Sequence, residues 1–385
     1  MIPFAILVSG LLLLLSSCTS HDTSHPYITA QQLSNYGTSA DLWLLRAPTP
    51  TGFLPSFYDP EVLRSRSRLD AQSELHAAKR LTELAVTRPR FDQPASALVD
   101  AIKSSWVNSD GEHSVITVKN KSSLGINALW LRVQIAQHAK AQEEGLSQRI
   151  DQQATLIRQS YDSEKGFPQS LSSDETQSSY YQRLYTGQAA LALLEHSALL
   201  NDTPSLEIAE SSLDWLARRY PANTSAHFHP SLIPWHAFAI ARHFELTGET
   251  PFVQDLFMMS NQLIKLQSDP DFPGQFMTPK NTNFGQPNAV RDALSTLVLL
   301  ESLKVAAQLQ NTRIVKKIQR AIWPALMNLR SLQYDHGKVS AFPRPQKSVG
   351  AIRYRHNEAL VRLDATVFGA AAFEKAATLI RAGHL

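Results

Sequence analysis

A carboxylate on an apolar helix face asks for a partner, and "VRLDATVFGAAAF" (residues 361–373) contains such a case. At helical spacing Asp364 shares its face with Val361, Val367, Phe368 and Ala371. A charge there is costly unless it is paired, hydrogen-bonded or turned toward a wet cavity. Other polar residues interrupt apolar runs in the same way: Asn127; Tyr181, Arg183, Tyr185 and Gln188; Trp235 and His236; Asn288, Arg291 and Asp292; and Arg362. These residue types permit two chemistries. Asp292 and Asp364 are the pair that a hydrolysis with two carboxyl groups would use, one as general acid. Tyr185 or His236 would instead move a proton next to a carboxylate, which Arg183, Arg291 or Arg362 would neutralise.

Plainer roles stand beside these. Asp292 follows "GQPN" and would complement a helix dipole. Asp364, two turns into a helix capped at Asn357, would otherwise be a buried pair with Arg362, Arg291 or Arg183. His236 shares a stripe with His243, as a satisfied core histidine does, and Tyr180 is taken as hairpin packing. His227, His229 and His236 make a His-x-His with a third histidine, but on a Pro-containing loop with no carboxylate nearby, so no metal is expected. No phosphate-binding glycine loop, zinc-protease or nucleophile-elbow motif occurs, and no cofactor is expected.

The elements that position these residues repeat. "LGINALWLRVQIAQHA" (124–139), "RLYTGQAALALLEHSALL" (183–200), "IPWHAFAIARHFELTG" (233–248) and "AVRDALSTLVLLESLKVAAQL" (289–309) are rich in Ala and Leu nearly all round, as helices buried on most sides are. Three are followed by a one-sided helix, such as "TRIVKKIQRAIWPALMNL", with Ile314, Ile318, Ile322, Ala325 and Leu329 in one stripe. The joints repeat as well: "LIRQSYDSEKGFPQ", "LIKLQSDPDFPGQF" and "LRSLQYDHGKVSAFP" each pass through Gln and Asp to an aromatic. His236 and Asp292 mark corresponding points 56 residues apart. A period just over fifty made of one buried and one half-exposed helix is a helical-hairpin repeat. The buried helices favour a closed ring over an open solenoid. The expected fold is all-α, an (α/α) toroid of about five to six hairpins with minor β elements in loops. Residues 70–87 and 95–107 add a helix pair, and "HSVITVK" (113–119) is the best strand candidate. Leu191, Ala239, Leu297 and Phe368 should be nearly inaccessible, and Lys316, Lys317 and Glu210 solvated.

Over residues 123–382 this pattern resembles the (α/α)-toroid families: six-hairpin glycosidases, α/α polysaccharide lyases and the helical part of uronyl C5-epimerases. The resemblance implies an inner ring of parallel helices whose N-terminal ends share one mouth. Aromatic faces for pyranose rings (Tyr181, Trp235), Gln188 and arginines that read carboxylates would gather there.

The chain has 385 residues, 43% hydrophobic and 18% charged, with a net charge of +3. So weak a charge gives no support to nucleic-acid binding, and "RSRSR" (64–68) is taken as a solvated helix start. "MIPFAILVSGLLLLLSSCTS" has the form of an export signal, though without an early Lys or Arg. "LSSC" resembles a bacterial lipobox that would lipidate Cys18, the single cysteine, and Thr19 leans toward the outer membrane facing the periplasm. The expected division is a signal peptide over 1–18, a tether and extended segment over 19–60, and the toroid over 61–385. Two functions stay open: an envelope lipoprotein that hydrolyses, eliminates or epimerises an acidic polysaccharide or glycan, or a non-catalytic lipoprotein that binds a glycan or an envelope protein.

Overall fold

The computed structural model describes residues 28–385 apart from 48, 50, 67–69, 110–113, 142, 172–177, 223–227 and 281–282. Cys18 and the apolar leader lie outside the described residues. The α-helices are α1 (Ala30–Arg46), α2 (Ala71–Thr87), α3 (Asp92–Trp106), α4 (Leu124–Lys140), α5 (Leu146–Gln159), α6 (Ser179–Leu200), α7 (Thr203–Arg219), α8 (Ile233–Thr247), α9 (Val253–Leu266), α10 (Ala289–Gln308), α11 (Thr312–Leu332) and α12 (Leu363–Arg381). The even-numbered helices close an inner ring: α2 packs on α4, α4 on α6, α6 on α8, α8 on α10, α10 on α12, and α12 on α2 again. The odd-numbered helices cover it, α3 on α2, α5 on α4, α7 on α6, α9 on α8, α11 on α10 and α1 on α12. This is a complete (α/α) toroid.

Composition explains the layers. Leu191, Ala239 and Leu297 of the inner ring are buried as expected. On α11 the stripe Ile318, Ile322, Ala325 and Leu329 is buried together with the flanking Ala321, Leu326, Asn328 and Leu332, Ile314 is half-buried, and Lys316, Lys317 and Arg320 are exposed. Two expectations fail: Phe368 is half-buried because it faces a cavity on the ring axis, and Glu210 is half-buried because it accepts a hydrogen bond from His243 at 2.8 Å. The repeated joints have a common cause. Asp162, Asp269 and Asp335 each take a backbone N–H two or three residues on, from Glu164, Asp271 and Lys338 at 2.8–3.1 Å, the turn that a short carboxylate favours.

Three segments differ from expectation. Residues 30–46, placed in the tether, form α1, whose Leu33, Trp43 and Leu44 are buried. Its start carries a capping box in which Thr29 and Gln32 satisfy each other's backbone N–H groups. "RSRSR" contributes β2 (Arg64–Arg66) instead of a helix start, paired with β1 (Phe57–Asp59). The run at 361–373 begins as a strand, and Leu363 is its first helical residue. Two strands lie between these in the chain, β3 (Val107–Ser109) and β4 (Ser114–Ile116), an antiparallel pair whose second strand covers only 114–116 of the expected 113–119. The last, β5 (Val361–Arg362), pairs with β1.

The ring therefore has two unlike ends. Joints entering the inner helices are long, as in 107–123, 160–178, 267–288 and 333–362, whereas those leaving them are short, as in 141–145, 201–202 and 309–311. The described parts of the long ones gather at the N-terminal mouth.

Candidate functional site

A cavity of about 240 Å3 opens at the mouth between the starts of α8, α10 and α12, lined by Tyr180, Ser231, Asn288, Arg291, Tyr354 and Arg362 among others. Asn288 caps α10 by accepting the Arg291 N–H at 3.1 Å, which places Arg291 in the first turn. The Arg291 guanidinium donates to the Phe284 carbonyl and lies 3.2 Å from Met277 Sδ. Gly285, at φ +97°, makes this possible, because a Cβ there would stand 2.9 Å from Arg291 Nη1. Arg362 ends β5 and precedes α12; its fork grips Asp364 through Nε (2.9 Å) and Nη2 (2.5 Å). Its guanidinium carbon sits 5.1 Å from the Tyr354 ring and 5.0 Å from Phe57. The Tyr354 carbonyl accepts the Ala289 N–H at 2.9 Å, tying the long 333–362 joint to the start of α10.

An aromatic wall flanks this cavity. Tyr185 and Tyr181 lie 5.6 Å apart, Tyr181 and Tyr180 5.3 Å, Tyr180 and His229 5.3 Å, and His229 and Phe284 5.5 Å. Tyr181 is 43% exposed, whereas Tyr185 is buried and its phenol is pushed up by burial. Gln188, one turn below, is fully buried with neither side-chain polar atom hydrogen-bonded. Gly125 lets α4 approach both: a Cβ there would fall 2.3 Å from the Tyr185 ring and 2.5 Å from Gln188 Oε1.

The expected site residues thus divide. Arg291, Arg362, Tyr181, Tyr185 and Gln188 meet at or beside the mouth. Asp364 stands directly behind Arg362 as its partner; burial pushes its carboxyl up and the Arg362 charge opposes this. It lies in the first turn of α12, not two turns in, so the dipole also favours its charge. Asp292 turns away toward α11, where it accepts the Phe276 N–H at 3.0 Å and the Asn328 amide at 2.8 Å. Burial pushes it up to about 7. The two carboxylates are held by different partners, and neither lines the cavity. His236 is wholly buried beside Gly187, and burial with the Arg183 charge pulls it down to about 3. Arg183 lies 5.0 Å over Tyr220, at the end of α7. Asn127 is spent on structure, binding Ile116, Ser122, Ser123 and Gln153. The Trp235 side chain points to the opposite end of the ring.

His227 lies outside the described residues, and His229 and His236 have separate surroundings. Among the described residues one group could converge on an ion, Glu210, His243 and Glu249, on the outer side near the end of α8. Tyr354 and Ser231 were not singled out from sequence, and Tyr180 was assigned to packing. The arginine-flanked aromatic in "RYRHNE" (353–358) is the signal that could have found Tyr354.

Comparison with known proteins bears on the fold. No protein-family model and no curated protein sequence matches the chain. Among solved structures, D-mannose isomerase superposes with a TM-score of 0.70 at 11% identity, over 92% of this chain and 100% of that one. Cellobiose 2-epimerase from Bacillus thermoamylovorans gives 0.68 at 8%, over 89% and 98%. An inactive variant of the α-1,6-mannanase GH76A of Salegentibacter sp., in complex with α-1,6-mannotriose, gives 0.65 at 12%, over 90% and 99%. The chain has the (α/α)-toroid fold that these structures share.

Proposed function

We propose that the protein is a carbohydrate-active enzyme that moves a proton next to the carboxylate of an acidic glycan, by epimerisation or elimination. The observation that carries this is the convergence of Arg291 and Arg362 with Tyr180 and Tyr354 on one cavity at the N-terminal ends of inner helices. Arginines and helix N-termini both favour an anion there. A base would remove the proton on the carbon bearing the carboxylate, and the charge developing on the carboxylate oxygens would meet the two guanidinium groups. The carbanion would then regain a proton from the other face, or expel the neighbouring glycosidic oxygen with its bonding pair. The phenols of Tyr180 and Tyr354 are the cavity groups able to exchange the proton. Asp364 is a positioning residue that fixes the Arg362 fork.

Paired-carboxylate hydrolysis fits less well, since Asp292 faces α11. The mannanase above was inactivated by replacing two adjacent aspartates with asparagine, and this chain contains no two adjacent aspartates. Incubating the protein in D2O with uronate oligosaccharides separates the cases. Deuterium at the carbon beside the carboxylate, or unsaturated ends, supports the proposal. New reducing ends without either would replace it with hydrolysis, and binding without turnover with a glycan-binding protein.

Lipid anchoring at Cys18 in the bacterial envelope, outer membrane by the lean of Thr19, is part of the same proposal. Cys18→Ser should move the protein from the membrane to the soluble fraction with its melting temperature unchanged. A variant that still pellets with membranes removes the anchor.

A further inference from the structure

A larger cavity lies at the other end of the ring. It holds about 640 Å3 and is walled by all six inner helices, mostly through their C-terminal halves. Its floor is aromatic. The His76 ring lies flat on Trp235, with centroids 5.0 Å apart and 8° between planes, and Phe368 meets His76 edge-on at 4.8 Å. Phe238 and Phe368 stay half-buried and turn apolar surface into the well.

Above the floor the walls are charged, and the charges are matched. Arg132 grips Glu195 with two hydrogen bonds of 2.8 Å. Lys304 and Arg242 share Glu245 at 2.5 and 3.3 Å, and Lys375 takes Glu301 at 2.8 Å. All but the Arg242 contact run from one helix to its neighbour, so planar guanidinium and carboxylate groups are fixed around the wall. Each still has donors or acceptors in excess of those its partner uses.

Such a lining selects by elimination. An ionic ligand would have to break an existing pair, and an apolar one would bury charges without hydrogen bonds. A polyhydroxyl ring does neither: its hydroxyls donate to carboxylates and accept from guanidinium groups, and its C–H face lies on aromatic carbon. Two further groups await such a partner. His76 is buried and makes no hydrogen bond with the described residues, and burial with the Arg132 and Lys79 charges keeps its imidazole neutral, a donor and an acceptor at once. Arg242 Nε is buried without a partner.

We propose that this well is a second ligand site, separate from the mouth, and that it takes a neutral saccharide of a few rings, a size its volume suits. The test is calorimetry and saturation-transfer NMR on the intact protein with glucose, cellobiose and mannotriose, and with sodium glucuronate as the charged counterpart. Neutral sugars should bind. Arg242→Gln should weaken them at least tenfold. So should Ala139→Trp, which fills the well from an exposed rim position and is expected to leave the melting temperature unchanged. Arg291→Gln, at the mouth, should leave this binding unchanged, so the result stands whether or not the proton-transfer reading does. No binding of any neutral sugar at tens of millimolar, binding indifferent to Ala139→Trp, or binding of glucuronate alone would each overturn the proposal.

Discussion

The two ends of the ring are made from the same six helices and carry opposite electrostatic conditions. At the mouth the inner helices present their positive ends, and Arg291 and Arg362 add to that field with no carboxylate among the residues that line the cavity. At the well the negative ends meet Arg242, Lys304 and Lys375, each matched by a glutamate. Arg362 is matched from behind by Asp364. The unspent positive potential of the mouth is therefore that of the helix ends and of Arg291, which forms no ion pair among the described residues, whereas the well is neutralised in place. Net charge could not show this, because +3 over 385 residues averages the two ends away. Where charges are uncompensated, an anion is the natural guest. Where they are paired, the pairs hold the wall together first.

That contrast can be broken by substitution. The largest effect is expected at the well: Arg132→Ala leaves the half-buried Glu195 without its cation and should lower unfolding free energy by about 3 kcal/mol. Urea denaturation measures it, and Arg132→Met with Glu195→Leu should recover most of the loss. At the mouth, Asp364→Asn should cost somewhat less, about 2 kcal/mol, since Arg362 keeps Asp70 at 3.7 Å and part of its surface in water. A melt of that variant with no shift would mean that the Asp364 pair is not structural. Arg291→Gln should leave the melt nearly unchanged and reduce turnover of an acidic glycan at least about tenfold, or about 1.4 kcal/mol. Equal turnover by wild type and variant would remove the mouth as the reacting end.

The contrast also leaves a pH slope. Burial raises Asp292 to about 7 and Glu74 to about 8 in the folded protein, from ordinary values of 3.8 and 4.5. Folding therefore favours their protonated forms. That stabilisation is complete below about pH 4 and is lost as pH rises through about 7 and then 8. Stability measured from pH 4 to 8 should fall more steeply in the wild type than in Asp292→Asn or Glu74→Gln.

The layers were legible in the sequence because a helix buried on most sides and a one-sided helix differ in composition, as 289–309 and 312–329 do. The joints were legible because an Asp turn needs its Asp. Much of the mouth was not. Trp235 and His236 occupy one helix start, yet a step of about 100° per residue sends the first to the ring axis and the second against Gly187. Asp292 and Asp364 hold comparable places in helices, and only the neighbours Asn328 and Arg362 decide which way each faces. α1 was missed because "ITAQQLSNYGTS" is polar on its surface side. Its signal was present in Thr29 and Gln32, three residues apart, ahead of Leu33, Tyr36, Gly37 and Ala40.

The contact between α1 and α12 also bears on how the molecule comes into being. The first and last helices of the described chain form one hairpin pair although more than three hundred residues separate them in sequence. Five pairs can assemble from neighbours as the chain lengthens, but the circle cannot shut until the final helix arrives. Until then α2 and α10 each lack a flank, and α1 lacks its hairpin partner. So distant a contact makes closure a late and slow event. A chain that ends before Leu363 would remain an open crescent with its apolar inner edges bare, ready to join those of another copy.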